Sequence, residues 1–99
     1  MKVKFTPTAQ RQFLEAIAYI RRDKPSVAVS IRRMAEEKLK RLERFPESGR
    51  RIPEFPDLPY RELIVRPYRF FYRIEIHVVW IVAAWHSAQL PDDPDSSND

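Results

Sequence analysis

The stretch Tyr60-Arg61-Glu62-Leu63-Ile64-Val65-Arg66-Pro67-Tyr68-Arg69-Phe70-Phe71-Tyr72-Arg73-Ile74-Glu75, followed by Ile76-His77 and Val78-Val79-Trp80-Ile81-Val82-Ala83-Ala84-Trp85, decides the fold. Short runs rich in β-branched and aromatic side chains, separated by brief interruptions, predict three consecutive strands. Tyr60–Arg66 sets Leu63 and Val65 opposite Glu62, Ile64 and Arg66. In Tyr68–Glu75, Tyr68, Phe70, Tyr72 and Ile74 alternate with Arg69, Phe71, Arg73 and Glu75. Val78–Trp85 is apolar on both faces, the pattern of a central strand covered on both sides. Arg66-Pro67 and Glu75-Ile76-His77 are the expected hairpin turns.

Upstream, Lys2–Thr6 alternates, with Val3 and Phe5 on one face, and predicts a short half-buried strand. Thr6-Pro7 supplies a capping hydroxyl followed by a proline suited to a first helical turn. From Thr8 to about Arg22, Ala9, Phe13, Ile17 and Ile20 recur at helical spacing, with Leu14 and Ala16 widening the stripe. Asp23-Lys24-Pro25 interrupts this pattern, and a second helix is expected from Pro25 to about Phe45. Its stripe is Ala28, Ile31, Ala35, Leu39, Leu42 and Phe45. So short a break makes the two helices an antiparallel hairpin. Pro46–Pro59 contains four prolines and the sole glycine, Gly49, and reads as an extended, irregular connection.

The predicted order is β-α-α-β-β-β, an α+β fold with a two-helix hairpin on one face of a small antiparallel sheet. Val79, Ile81, Val82 and Trp85 are expected to pack against Phe13, Ile17, Ile31 and Leu39. The other face of the sheet is then the functional one, where the strand arginines emerge. Residues 1–90 form the domain, and the low-complexity acidic segment 91–99 is expected to be disordered.

Ninety-nine residues suit one domain, and 43% hydrophobic with 32% charged residues is ordinary for a soluble globular chain. The absence of cysteine excludes disulfides, thiolate metal sites and a cysteine nucleophile. His77 and His86, the only histidines, have no carboxylate at metal-site spacing, so neither metal nor cofactor is expected. One glycine cannot build a phosphate-cradling loop. The longest apolar run, Val78–Trp85, falls far short of the roughly 18–20 residues that span a bilayer. Met-Lys-Val-Lys-Phe at the start lacks the apolar stretch of a secretory signal, so a cytoplasmic protein without membrane association is expected.

Charge is unevenly distributed. Eighteen basic residues face fourteen acidic ones, but without residues 91–99 the same eighteen face ten. Thirteen of the cations are arginine, the side chain suited to bidentate phosphate or carboxylate recognition and to stacking. Such a body implies an anionic partner: nucleic acid, a nucleic-acid machine or an acidic protein.

Three clusters carry candidate chemistry. Pro46-Glu47-Ser48-Gly49-Arg50-Arg51 places adjacent cations beside a glycine that permits close backbone approach; the alternative is a solvated loop. Tyr60–Arg73 interleaves Arg61, Arg66, Arg69 and Arg73 with aromatic residues, offering phosphate contacts and stacking faces. The alternative there is that Tyr68, Phe70 and Tyr72 are core while the arginines pair with Glu62 and Glu75. With helices over the Tyr68 face, Arg69 and Arg73 point outward beside Arg61 and His86 in a concave cationic patch. Trp85-His86-Ser87 brings a polar group to the end of the central strand, a position that is either functional or structural. His86 and Ser87 point to opposite faces and make a poor nucleophile–base pair.

Several motifs recur together in order. They are Val3-Lys4-Phe5-Thr6-Pro7-Thr8-Ala9, Ile17-Ala18-Tyr19-Ile20, Pro25-Ser26-Val27-Ala28, Leu42, Pro46-Glu47-Ser48-Gly49-Arg50, Arg61-Glu62-Leu63, Tyr68-Arg69-Phe70-Phe71-Tyr72-Arg73 and the terminal histidine. This arrangement resembles the ParE/RelE superfamily of bacterial toxins over about residues 1–90. The resemblance implies a RelE-like fold and the toxin role in a type II toxin–antitoxin, or plasmid stabilisation, module. It also implies a cognate antitoxin that wraps the toxin in a hetero-oligomer. On the RelE-like branch, a ribosome-dependent mRNA endoribonuclease, the resemblance assigns Arg61, Arg69 and His86 as catalytic candidates, with Glu47 or Glu54 as a remote second group. On the ParE-like branch, a DNA gyrase inhibitor, no catalytic set is needed. The motifs at Pro46–Arg50 and Tyr68–Arg73 are closer to ParE. There, Arg50, Arg51, Arg61, Arg66, Arg69, Arg73 and His86 would meet the target or the antitoxin. Ser87-Ala88-Gln89 stands where ParE-type chains usually carry glycine and arginine.

Overall fold

A computed structural model describes residues 1–86. The expected motif order is present, with one short strand more. β1 (Lys2–Phe5) leads into α1 (Pro7–Asp23) and α2 (Pro25–Lys40), and a 3₁₀ turn follows at Arg41–Glu43. β2 (Arg50–Arg51), β3 (Tyr60–Val65), β4 (Tyr68–Ile74) and β5 (Val78–His86) complete the chain.

Local chemistry sets the helix boundaries. Thr6 caps α1, its hydroxyl accepting from the Ala9 N–H at 3.2 Å, and Pro7 occupies the first turn where no N–H is missed. Lys24 ends α1 with its N–H on the Ile20 carbonyl, and Pro25 starts α2 immediately. α2 stops at Lys40 instead of continuing to Phe45. Pro46 disfavours helical backbone at the residue before it, so the last turn tightens into 3₁₀ and Phe45 stands 58% exposed.

The strands form one five-stranded sheet in the order β1-β5-β4-β3-β2. β3, β4 and β5 run as antiparallel hairpins and β2 is antiparallel to β3. β1 joins β5 in parallel, Lys2 opposite Val78 and Phe5 opposite Ile81, which makes the sheet mixed. The long excursion through both helices and three strands between β1 and β5 allows that parallel return.

Two apolar clusters lie on opposite faces. Under the helices, Phe13, Ile17 and Leu39 pack on Phe70, Tyr72, Val79 and Ile81, with Ile31 partly buried beside them. Val82 and Trp85 belong to the other face, with Phe71, Ala83 and Ile52, which corrects their expected place against the helices. Val82 opposes the helix-facing Ile81 by plain alternation, and a register shift turns Trp85: Phe71 faces Ala83 but Tyr72 faces Ile81, so Val82 is bulged. A bulge adds one residue to a strand and redirects the side chains beyond it. The second face is not open either. The 46–59 connection folds over it, burying Ile52 completely and packing Phe55 on the cluster. An exposed face bearing Phe71, Val82 and Trp85 would leave a large apolar area in water.

Candidate functional site

Charged residues gather at the rim of this second face. The Glu62 side chain is fully buried, and its carboxylate is held from two sides. Arg69 Nε donates to Glu62 Oε1 at 2.7 Å, and Arg50 Nε donates to Glu62 Oε2. Arg69 Nη2 reaches across to Glu54 Oε1 at 3.0 Å, and the guanidinium lies 5.0 Å from the Phe71 ring centre. Arg69 is only 7% exposed. Burial acts to lower its pKa, but hydrogen bonds and charges of Glu54 and Glu62 outweigh that and raise it. The hydrogen bond from Arg69 holds the Glu54 carboxyl below its usual value, against the opposing effect of burial. A carboxylate as buried as Glu62 needs cations against it. Arg50, opposite Glu62 on β2, and Arg69, two positions on β4 from the Phe71 that pairs with Glu62, supply them.

The connection is tied down by further contacts. Tyr72 Oη donates to the Pro46 carbonyl at 2.7 Å and accepts from the Gly49 N–H at 2.8 Å. Burial pushes the Tyr72 phenol up, so it stays protonated as that donor. Arg61 Nη1 donates to the carbonyls of Gly49 at 2.8 Å and Glu47 at 3.3 Å. Arg51 Nη1 donates to the Leu58 carbonyl at 3.1 Å. Gly49 does allow a close approach, but the approach is to Tyr72 within the chain. A Cβ there would lie 2.4 Å from Tyr72 Oη and 2.7 Å from the Glu62 carbonyl oxygen.

The cationic patch expected from the sequence is therefore not assembled. Arg50, Arg61 and Arg69 hold the 46–59 connection on the sheet, Arg51 braces it internally at Leu58, and Arg69 points into that contact instead of outward. Arg73 is partly exposed and donates to Glu75 Oε2 at 3.1 Å, as the alternative reading of the arginines anticipated. Arg66 is exposed in the β3–β4 turn. His86 ends β5 beside Tyr68 on the helix side of the sheet, edge-on to it at 5.6 Å. It lines a cleft of about 520 Å³ with Gln12, Glu15, Tyr19 and Tyr68. Readings placed on Ser87, on Ser87-Ala88-Gln89 and on the 91–99 tail lie outside the described residues.

A second concavity was not anticipated. A groove of about 410 Å³ runs between the end of α2 and the outer edge of β3, lined by Lys38, Arg41, Phe45, Leu63 and Ile64 among others. Phe45 before a proline was the available signal, but the expected helical stripe assigned it to the core. Among the described residues, no group of three or more side chains could hold a metal ion. No helix among them is long and apolar enough to cross a membrane.

No curated protein matches the chain significantly. A solved structure described as the chromosomal ParDE TA system from P. aeruginosa superposes with a TM-score of 0.72 at 18% identity. The match covers 87% of this chain and 95% of that one, a likeness of fold. The family model for the ParE toxin of the type II toxin–antitoxin system, parDE, matches residues 3–91. A match over nearly the whole chain, on a fold of the same topology, makes this protein a member of the ParE toxin family of type II toxin–antitoxin systems.

Proposed function

We propose that the chain inhibits DNA gyrase as a non-catalytic toxin and is neutralised by a cognate antitoxin. The observation that supports this is the state of Arg69, whose guanidinium is taken up by Glu62 and Glu54 inside the fold. Ribonucleolytic cleavage needs one group to take the 2′-hydroxyl proton and another to donate to the leaving oxygen. Arg69 is withdrawn from a phosphate, Arg61 is engaged with backbone carbonyls, and Glu54 is held ionised by Arg69. A protein that acts by binding has no need of such a set, and the surplus of arginine suits an anionic protein or protein–DNA target.

Purified chain added to a gyrase supercoiling assay and to a ribosome-dependent mRNA cleavage assay tests the reading. Inhibited supercoiling with intact mRNA is expected, and growth arrest on expression without an antitoxin. Cleaved mRNA with unaffected supercoiling replaces the proposal by the endoribonuclease reading. Unimpaired growth assigns the chain to non-toxic binding modules of the same fold.

A further inference from the structure

The cleft beside His86 collects polar groups that the fold leaves unused. Gln12, Glu15, Ala16 and Tyr19 form one stripe of α1 at helical spacing and line it, with Tyr68 and His86 contributed by β4 and β5. β1 stops at Phe5 opposite Ile81, and beyond that point Gln12 serves β5 in place of a strand, its Oε1 accepting from the Ala84 N–H at 2.9 Å. With the oxygen committed, Nε2 remains as a donor and has no partner among the described residues. Tyr68 is 9% exposed, and its hydroxyl forms no hydrogen bond among the described residues. Burial, and then the neighbouring Tyr19 phenol, push the Tyr68 pKa up, so it stays protonated as a donor. A buried hydroxyl without a partner is an exception that requires an explanation. Glu15 is exposed and forms no ion pair among the described residues, even with Arg11 one turn before it.

We propose that this cleft binds the guanine base of a nucleotide, free or at the end of a strand. Its volume of about 520 Å³ is that of a small-ligand site, and it combines aromatic surface with a few polar groups. A carboxylate that only accepts stands with two groups that donate, so the occupant must present both donors and an acceptor. Guanine does: its N1–H and N2 amine lie side by side for Glu15, and its O6 accepts from Gln12 Nε2 or the Tyr68 hydroxyl. A guanidinium or ammonium group has no acceptor and would leave Gln12 and Tyr68 unanswered. Adenine carries one donor group on the same edge, next to a ring nitrogen that a carboxylate repels. The Tyr68 and His86 rings stand 83° apart, so a base stacked on one meets the edge of the other, and Tyr19 offers a further face. Arg11 and Arg22 share the Glu15 flank of α1, exposed and without an ion pair among the described residues, where a phosphate attached to the base can reach them. The inference is independent of the gyrase reading.

The test is calorimetric titration of the full chain with GMP, AMP and xanthosine monophosphate, and with a short single-stranded RNA ending in guanosine. GMP should bind roughly tenfold or more tighter than AMP, the discrimination of a bidentate contact. Glu15→Gln should lose GMP and gain xanthosine monophosphate, whose C2 carbonyl replaces the amine and accepts from the new carboxamide. Tyr19→Ala should weaken GMP roughly fivefold or more through lost stacking. Tyr68→Phe should weaken it several-fold. Glu15 and Tyr19 are exposed, so melting curves of their variants should match the parent and separate lost binding from lost folding. RNA binding tighter than GMP, and weakened by Arg11→Ala/Arg22→Ala, supports the site with a strand as its source; equal affinities support it with a free nucleotide. No saturable binding of GMP or RNA, equal binding of GMP and AMP, or GMP binding indifferent to Glu15→Gln overturns the proposal. Methylguanidinium bound more tightly than GMP also overturns it, in favour of an arginine side chain of a partner. Failure of gyrase inhibition leaves every one of these outcomes readable.

Discussion

Replacing Arg69 by alanine removes the cation that sits between Glu62 and Glu54. Glu62 has no exposed side-chain surface, so water cannot take over the lost hydrogen bond. Breaking a buried ion pair from one side costs ~3–5 kcal/mol, because the surviving charge is stranded. Arg50 still holds one Glu62 oxygen from a mostly exposed position, which reduces the expected cost to ~2–4 kcal/mol. In a domain of this size each kcal/mol moves the melting midpoint by roughly 4–8 °C, so a fall of about 8–32 °C follows. The sequence alone suggested the reverse, an exposed clamp whose loss leaves the melting temperature nearly unchanged. A second variant separates loss of the pair from loss of bulk. Arg69→Met/Glu62→Leu removes both charges while keeping apolar volume, and such replacements are often neutral or stabilising. Thermal denaturation followed by circular dichroism should find the double variant within about 5 °C of the parent, or above it. An Arg69→Ala midpoint within about 3 °C of the parent, or a double variant no better than the single, would refute the reasoning.

Ile81 is completely buried under the helices, and Ile81→Ala should cost roughly 2–5 kcal/mol in urea denaturation; an unchanged midpoint would mean that β5 is misplaced. Gly49→Ala drives a methyl group into Tyr72 Oη and a β3 carbonyl, and overpacking of this kind costs about 1–3 kcal/mol. Unaltered stability, with exchange of the Gly49 amide still slow, would contradict that contact. Glu54 has a folded-state pKa below its ordinary 4.5, so its contribution is present above that value and lost as pH falls below it. Since its side chain is 37% exposed, solvent screening limits this to ~0.2–1 kcal/mol. Between about pH 5 and about pH 3 the parent should lose slightly more of its melting temperature than Glu54→Gln, and parallel curves would remove Arg69–Glu54 from the stability of the fold.

Local signals carried most of the architecture. Thr6-Pro7 and Lys24-Pro25 mark helix starts through missing N–H groups and a capping hydroxyl, and both starts stand within a residue of where they were expected. The alternation of Tyr68, Phe70, Tyr72 and Ile74 with Arg69, Phe71 and Arg73 identified the helix-facing side of β4. The family was equally legible, because ordered short motifs survive in the chain regardless of where they lie in space. β2 was not legible: two arginines in a proline-rich connection have no periodicity to read.

The site was legible only as a composition. Periodicity states which side chains share a face, but not what else covers that face. Arg69 and Glu62 were on the same side of the sheet in the sequence reading, and an exposed patch and a buried pair both satisfied that pattern. The choice depended on the 46–59 connection, whose path is set by Ile52 filling the second cluster and by Tyr72 gripping Pro46 and Gly49. The bulge at Val82 was equally out of reach, since a run apolar on both faces fits every register. The sequence by itself determined the elements other than β2, their order, the family and the basic character of the body, all of which rest on neighbouring residues or on composition. Tertiary structure alone decided which arginines face water, because that depends on long-range burial of Glu62 beneath a segment with no regular pattern of its own.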